Sequence, residues 1–406
     1  MMQRRPAVDI RHLIWVCTAL PACFRPSYDH TACGRGDTCP EGFTCRNQFC
    51  ESGNPPDDAR IDASVDASVV VDAPPDAPRD APPDAAACFG LFERICLQSA
   101  PSMPLPITSP TMIDTGTSPL CAPILSGPDA CVLVGTTISI EATLRATGPK
   151  PLVLLASNSI TILSAGSVDV ASHRGAVPET GAGADFTGCP AGIAPGLRAG
   201  GAGGSFTGAG GTGGMSVTGG NGGVPGTGGP LIGLRGGCSG QDGDGSMHGN
   251  RGHGGGFVLL MAVGAIDHAG VITAAGEGGT GAAANAAGGG GGGAGGMIVL
   301  DAPAISGSGL ILANGGGGGE GAGNTTPGES GADPTGTAPA LGGDGPTGNG
   351  GRGGNGSAGA AGGPGTNGVD GTSQGGGGGG GGGAGTIRAR SGQDLGSNVS
   401  PAVSPF

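Results

Sequence analysis

Residues 295–321 read GGMIVLDAPAISGSGLILANGGGGGEG. A short apolar run (Met297–Leu300) is followed by a turn, two more short apolar segments and a run of glycine. The same phrase occurs at 152–175 (LVLLASNSITILSAGSVDVASHRG) and at 256–279 (GFVLLMAVGAIDHAGVITAAGEGG). A shorter copy opens at Gly385 with GTIRARS. Turn residues divide each copy into three strands: Ser157-Asn158-Ser159 and Ala165-Gly166 in one, Gly264 and Ala269-Gly270 in the next. A period of about 22 to 25 residues in three strands describes one coil of a parallel β-helix. The expected fold is therefore all-β: a short right-handed parallel β-helix, or solenoid, with long glycine-rich insertions. Before the first copy, Ile138, Ile140, Ala142 and Leu144 alternate with Thr137, Ser139, Glu141 and Thr143, the period-two pattern of a half-buried strand.

Composition sets limits. Of 406 residues, 96 are glycine, and there is one Trp and one Tyr. Glycine averages about 7% of residues, so it is enriched more than threefold here. With so few large side chains, a compact state must lean on backbone hydrogen bonds and close backbone packing. The formal charge of -13 argues against a nucleic-acid partner, which calls for a basic footprint.

The chain divides into five parts. Residues 1–22 read as a signal peptide: Arg4, Arg5 and Arg11 precede an apolar run from Leu13 to Ala22, too short to span a membrane. Residues 23–52 hold a small cysteine-rich disulfide module, CGRGDTCPEGFTCRNQFC at 33–50. Residues 53–87 form a disordered Asp/Ala/Pro linker with eight Asp between 57 and 87 against Arg60 and Arg79. Extended as polyproline II, about 30 residues at roughly 3.1 Å each reach on the order of 90 Å. Residues 88–131 read as a disulfide-stapled cap over the end of the solenoid, with Phe89, Leu91, Phe92 and Ile95 covering the first coil. Residues 132–406 form the β-helix-like domain, interrupted by glycine-rich insertions at 175–255, 276–296 and 314–384 that leave one corner and cluster in space.

The cysteines favour export. Cys17 leaves with the signal, and ten remain beyond Cys23: Cys33, Cys39, Cys45, Cys50, Cys88, Cys96, Cys121, Cys131, Cys189 and Cys238. An even number is what a disulfide framework requires, and the pairing is open. No C-x-x-C pair occurs, so the set does not read as a zinc site. The first four resemble a small EGF-like knot with too few cysteines for the full domain. Arg35-Gly36-Asp37 spells an integrin-binding tripeptide that chance also produces.

Two readings compete for the glycine tracts. Glycine gains most entropy on unfolding, which favours disorder. The phasing favours order. Glycine falls on every third residue from Gly342 to Gly354, again from Gly353 to Gly371, and at 201, 204, 210, 213, 219, 222 and 228. A polyproline II-type helix has three residues per turn, so this spacing lays a stripe without side chains along one face. Collagen needs far more proline than Pro346 and Pro364. The tracts, above all GGGGGGGGGAGTIR at 375–388, resemble the polyglycine II bundles of glycine-rich receptor ectodomains and phage tail adhesins.

Catalytic signatures are sparse. Polysaccharide lyases and hydrolases on β-helices need paired carboxylates with basic residues on adjacent coils. Asp169, Asp267, Asp301, His173-Arg174 and His268 are the candidates here, and each reads as a solvated turn. No G-x-S-x-G, HExxH or P-loop occurs, and no cofactor is implied. Calcium repeats of the GGxGxD type would recur every nine residues, which Gly243-Asp244, Gly343-Asp344 and Val369-Asp370 do not.

Leu20-Pro21-Ala22-Cys23 resembles a bacterial lipobox, with Pro21 departing from the usual pattern. That resemblance makes Cys23 the lipidated first residue; ordinary signal cleavage and an uncut anchor are the alternatives. Phe24 and Arg25 follow, without the Asp that in such lipoproteins signals inner-membrane retention, so it points to the outer membrane. The whole layout, with DTGTSPLC at 114–121 and PLVLLASNSITI at 151–162, is similar to the surface lipoproteins of myxobacterial-type genomes. The expected role is a non-enzymatic surface protein, tethered by lipid alone, that contacts an extracellular glycan or another cell-surface component. A carbohydrate-active enzyme on the same scaffold and a purely structural envelope protein are the alternatives.

Overall fold

A computed structural model describes residues 31–32, 43–46, 49–52, 86–177, 180–229, 233–345, 348–393 and 395–406. The chain splits into two compact units, 1–78 and 79–406. In the first, Phe43–Arg46 pairs antiparallel with Phe49–Ser52, which also pairs with Thr31–Ala32. This register sets the Cys45 backbone opposite Cys50. Cys33, Cys39, Cys23, the signal at 1–22, Arg35-Gly36-Asp37 and linker residues 53–85 lie outside the described residues.

Every regular element described in the second unit is a strand, and two parallel sheets organise it. The larger sheet stacks Cys131–Ile140, Leu152–Ile162, Phe257–Ala262, Met297–Asp301, Thr386–Ala389 and Val403–Pro405 in that order. Ala265–His268 and Ala304–Gly307 continue it beside the second half of Leu152–Ile162. The smaller sheet stacks Thr111–Asp114, Thr143–Thr147, Ser167–Asp169, Val271–Thr273, Leu310–Leu312 and Val399–Ser400. The three copies of the repeat thus lie strand over strand, with Leu152 beside Val258 and Val258 beside Ile298.

Like residues form columns. Cys131, Leu152, Val258, Ile298 and Ile387 follow one another across the larger sheet, as do Ile138, Ile160, Ile266 and Ile305. Leu144, Val168, Ile272 and Ile311 do the same across the smaller sheet. All of these belong to one buried cluster. The alternate residues Val132, Val153, Leu259 and Val299 point to the opposite face and are also buried, in a second cluster with Ile95, Phe206 and Phe257. Burial on both faces explains the unbroken runs LVLLA, FVLLM and MIVL, where a half-solvated strand would alternate.

The segment expected to cap one end divides differently. Leu105–Ile107 and Thr111–Asp114 already pair with Cys131–Ile140 and Thr143–Thr147, so sheet begins inside 88–131. The hairpin Ala87–Phe89 with Ile95–Leu97, closed by Cys88–Cys96, lies across a sheet face. Ile95 and Leu97 pack there against the cluster of Val153, Leu155 and Leu259, while Leu91 stays 68% exposed. A sheet buried on both faces needs a cover over each, and the hairpin supplies part of one.

The glycine tracts build a lattice of extended segments cross-linked backbone to backbone. Segment 288–296 lies at the centre of one group. Gly289, Gly292 and Gly295 donate to Gly377, Gly380 and Gly383. Gly290, Gly293 and Gly296 donate to Thr280, Glu277 and Ala274, and Gly288, Gly291 and Ala294 to Asp244, Gln241 and Cys238. Its carbonyls accept from Gly249 and Gly252, from Gly201 and Gly204, and from Gly316 and Gly319. The donors repeat every three residues, each phase facing a different neighbour, as a three-residue turn requires. Every phase is thus occupied. A methyl at Gly290 would overlap the Asn250 carbonyl, at Gly291 that of Ala202 and at Gly292 that of Gly316. That is the physical reason for the unbroken run Gly288–Gly293.

Candidate interaction surface

Segment 376–384 is enclosed in the same way, and the segments around it form an outer layer. Its carbonyls accept from Gly211 and Gly214 and from Gly351, Gly354 and Ser357; its own N–H groups reach Val369 and Thr366. Segments 209–215, 365–371 and 349–355 therefore lie side by side. Gly368 and Gly371 donate to Thr212 and Met215, and Thr366 and Val369 donate to Asn355 and Arg352. An outer segment has neighbours on one side only, so glycine is needed at some phases and a side chain can stand at the others. This accounts for GTNGVDG at 365–371 and GRGGNG at 351–356.

The outer side chains form two rows across the three segments. One holds Met215, Asp370, Val369 and Arg352; the other holds Thr212, Asn367, Thr366 and Asn355. Three residues separate the rows, about 9 Å in a polyproline II-type helix. All eight are exposed except Thr212, which is half-buried.

Several outer side chains close the lattice edge. Thr212 N–H donates to Asn367 Oδ1 (3.0 Å), Met215 N–H to Asp370 Oδ1 (2.7 Å) and Asn355 N–H to Thr366 Oγ1 (2.6 Å). Elsewhere Gly342 N–H donates to Asn355 Oδ1 and Arg198 N–H to Asp244 Oδ2. A side-chain oxygen here takes the place of a carbonyl on a missing neighbour, so buried or edge donors stay paired. These positions carry no catalytic signature. Their only sequence signal is Asn, Asp or Thr at a non-glycine phase of the three-residue step.

Of the residues singled out for chemistry, Asp169 and His173 meet and the others are dispersed. Asp169 lies in register beside Arg145, with Arg145 Nη1 2.9 Å from its Oδ2, His173 Nε2 3.0 Å away and the Ala171 N–H donating at 3.0 Å. Burial pushes the Asp169 carboxyl up, but the His173 hydrogen bond and the His173 and Arg145 charges outweigh it and hold it below the usual range. The Asp169 hydrogen bond in turn raises His173 against the effect of burial. A general acid at Asp169 would need the opposite shift. Arg174 pins two tracts: its Nη2 donates to Gly331 O (2.6 Å), and its N–H to Asp333 Oδ2. Asp267 is exposed and accepts from Ser306 Oγ.

The expectation of a solvated turn fails at Asp169, which ends the strand Ser167–Asp169 with its side chain 15% exposed, and at two further residues. Asp301 is fully buried, bound by Arg390 and by the Leu91 and Phe92 N–H groups. His268 is also fully buried and follows Ile107, Ile140 and Ile162 in one column; neither ring nitrogen has a partner among the described residues. Burial lowers its pKa, opposed by the Asp267 charge. The second strand of the repeat turns inward at that position, so its register rather than its polarity set the environment.

Three cysteine pairs are bonded: Cys88–Cys96, Cys121–Cys131 and Cys189–Cys238. The aspartates at 244, 344 and 370 serve other partners: the Arg198 N–H, Arg352 and the Met215 N–H. Among the described residues, no group of three or more His, Cys, Asp or Glu is placed to hold a metal ion. The chain matches no family model, no curated protein and no solved structure.

Proposed function

We propose that this chain is a non-enzymatic surface lipoprotein that contacts an extracellular glycan or another cell-surface component through its glycine-rich lattice. The carrying observation is the array of Met215, Asp370, Val369, Arg352 and Thr212, Asn367, Thr366, Asn355 on segments fixed by backbone hydrogen bonds. A platform held this way loses little conformational freedom on binding, and preorganisation favours affinity. Regularly spaced polar groups suit a repeating partner such as a polysaccharide.

The scaffold in this proposal is a short right-handed parallel β-helix of the kind expected from the repeat. Its support is that both sheets advance by one copy of the repeat at each step, from Leu152 to Val258 to Ile298 and from Val168 to Ile272 to Ile311. The glycine tracts are polyglycine II bundles in the same reading, supported by the three-residue hydrogen-bond period. Cys23 carries the lipid that anchors the chain to the outer membrane in the same reading. Asp169, ion-paired and held anionic, gives the enzymatic alternative little to use.

The test is whole-cell and glycan-array binding by the full mature chain, compared with the double variant Arg352→Glu, Val369→Glu. Loss of binding with unchanged thermal stability supports the array; equal binding removes it. Mass spectrometry of the membrane-extracted chain checks for diacylglyceryl on Cys23, and an unmodified start elsewhere removes the anchor.

A further inference from the structure

A cavity of about 220 Å³ opens within the first glycine tract. Its walls include Asp185, Phe186, Ser205, Thr227, Ser239 and Gln241, and the Cys189–Cys238 disulfide joins two of them across 49 residues. We propose that this cavity binds one neutral pyranose ring. The inference rests on the glycan reading above and gives it a site and a ligand class.

The chemistry of the wall favours a sugar. Asp185 is locked in place: its Oδ1 accepts the Gly254 N–H (2.8 Å), and its Oδ2 lies 2.5 Å from His253 Nδ1. Each carboxylate oxygen accepts more than one hydrogen bond, so both keep capacity for a hydroxyl donor. Gln241 is held through its Oε1 by the Ala202 N–H (3.2 Å), and its Nε2 uses one of two hydrogens on Val224 O (3.3 Å). The Thr227 and Ser239 hydroxyls make no hydrogen bond to other described residues. Donors and acceptors thus stand together in the cavity wall, as a ring carrying several hydroxyls requires.

Phe186 supplies the apolar part. One pyranose face presents C–H groups, and an aromatic ring offers a matching flat apolar surface. The ring is partly exposed at 39%, and Arg235 stacks on it, 5.5 Å from the guanidinium carbon to the ring centroid. Arg235 lies on Phe206 as well, at 4.4 Å, and it is buried. The platform is therefore fixed before a ligand arrives.

Size and charge narrow the class. Pockets for drug-sized ligands run from about 300 Å³ upward, so 220 Å³ suits a single ring. Among the described residues no Lys, Arg or His lines the cavity, and Asp185 would repel a second carboxylate. A uronic acid is disfavoured on that ground.

Saturation-transfer NMR and calorimetry on the full mature chain would use glucose, galactose, mannose and N-acetylglucosamine, with glucuronic acid as the charged comparison. At least one neutral sugar is expected to bind, and glucuronic acid at least tenfold more weakly. Ser239→Trp fills the cavity and Phe186→Ala removes the platform; each should weaken binding at least tenfold. Phe186→Ala, a loss of a partly exposed ring, serves should Ser239→Trp disturb folding. The proposal falls if no neutral sugar binds, if glucuronic acid binds equally well, or if Phe186→Ala leaves affinity unchanged. Cell binding measured in parallel separates the two readings: sugar binding without cell binding sinks the adhesive role and keeps the pocket, and cell binding without sugar binding does the reverse.

Discussion

Arg390 Nε lies 2.6 Å from Asp301 Oδ1, joining residues 89 apart in sequence, while Asp301 Oδ2 accepts the N–H groups of Leu91 (2.7 Å) and Phe92 (3.0 Å). One buried carboxylate thus fastens the disulfide hairpin to the last strands of the larger sheet. Removing one member of a buried pair leaves the other uncompensated. Asp301→Ala is expected to cost about 3 kcal/mol in denaturant unfolding. A loss below about 1 kcal/mol would show that the carboxylate is not what holds the hairpin.

The lattice makes a position-specific prediction about glycine. A methyl at Gly380 would overlap the Gly211 carbonyl, whereas nothing lies near a methyl at Gly336. Gly380→Ala should destabilise by on the order of 3 kcal/mol through forced backbone shifts. Gly336→Ala should stay within about 0.5 kcal/mol. Thermal unfolding of the two variants checks this, and equal melting temperatures would contradict the packing described here.

His268 predicts a pH effect. Its folded pKa is lowered by burial from the ordinary 6.5. Its neutral form is the one the fold accommodates, so stability is complete above about pH 6.5 and declines as pH falls toward the folded value. His268→Val should flatten that decline and raise stability at neutral pH by about 1 kcal/mol, since a buried unpaired polar group is removed. His173, with its pKa raised by Asp169, acts in the opposite sense. Its contribution is complete below about pH 6.5 and is lost as pH rises through the folded value. Unfolding curves for His268→Val and His173→Gln from pH 5 to 8 would separate the two, and parallel curves would refute both assignments.

The Cys189–Cys238 bond closes a loop of 49 residues within a tract that has little apolar core of its own. Chain-entropy arguments give such a cross-link about 4 kcal/mol. The double variant Cys189→Ser, Cys238→Ser should melt earlier, and reductant should have no further effect on it at this site. An unchanged melting temperature would mean that the lattice alone holds the tract.

Much of the architecture was legible because it is written as repetition. The copies at 152–175, 256–279 and 295–321 carry apolar residues at matching offsets, and those offsets become the columns through Leu152, Val258 and Ile298. The three-residue glycine step likewise foretold segments that donate in phases of three. The hairpin at 87–97 covers Val153 and Leu259 on a sheet face, a contact between distant segments that local alternation does not carry. Asp301 and His268 were misjudged for a related reason: polarity suggested the surface, while strand register carried both inward. The cavity at Asp185 left no local signal, since its walls come from separate parts of one tract.

Parallel strands and glycine at fixed intervals follow from the order of residues alone, because backbone periodicity is a local property that each copy states independently. Which glycine runs lie inside the lattice, which outer side chains close its edge and which polar residues are buried were settled by packing. Those outcomes depend on what stands next to a segment, and for 288–296 the neighbours come from near residues 200, 240, 250, 277, 317 and 380.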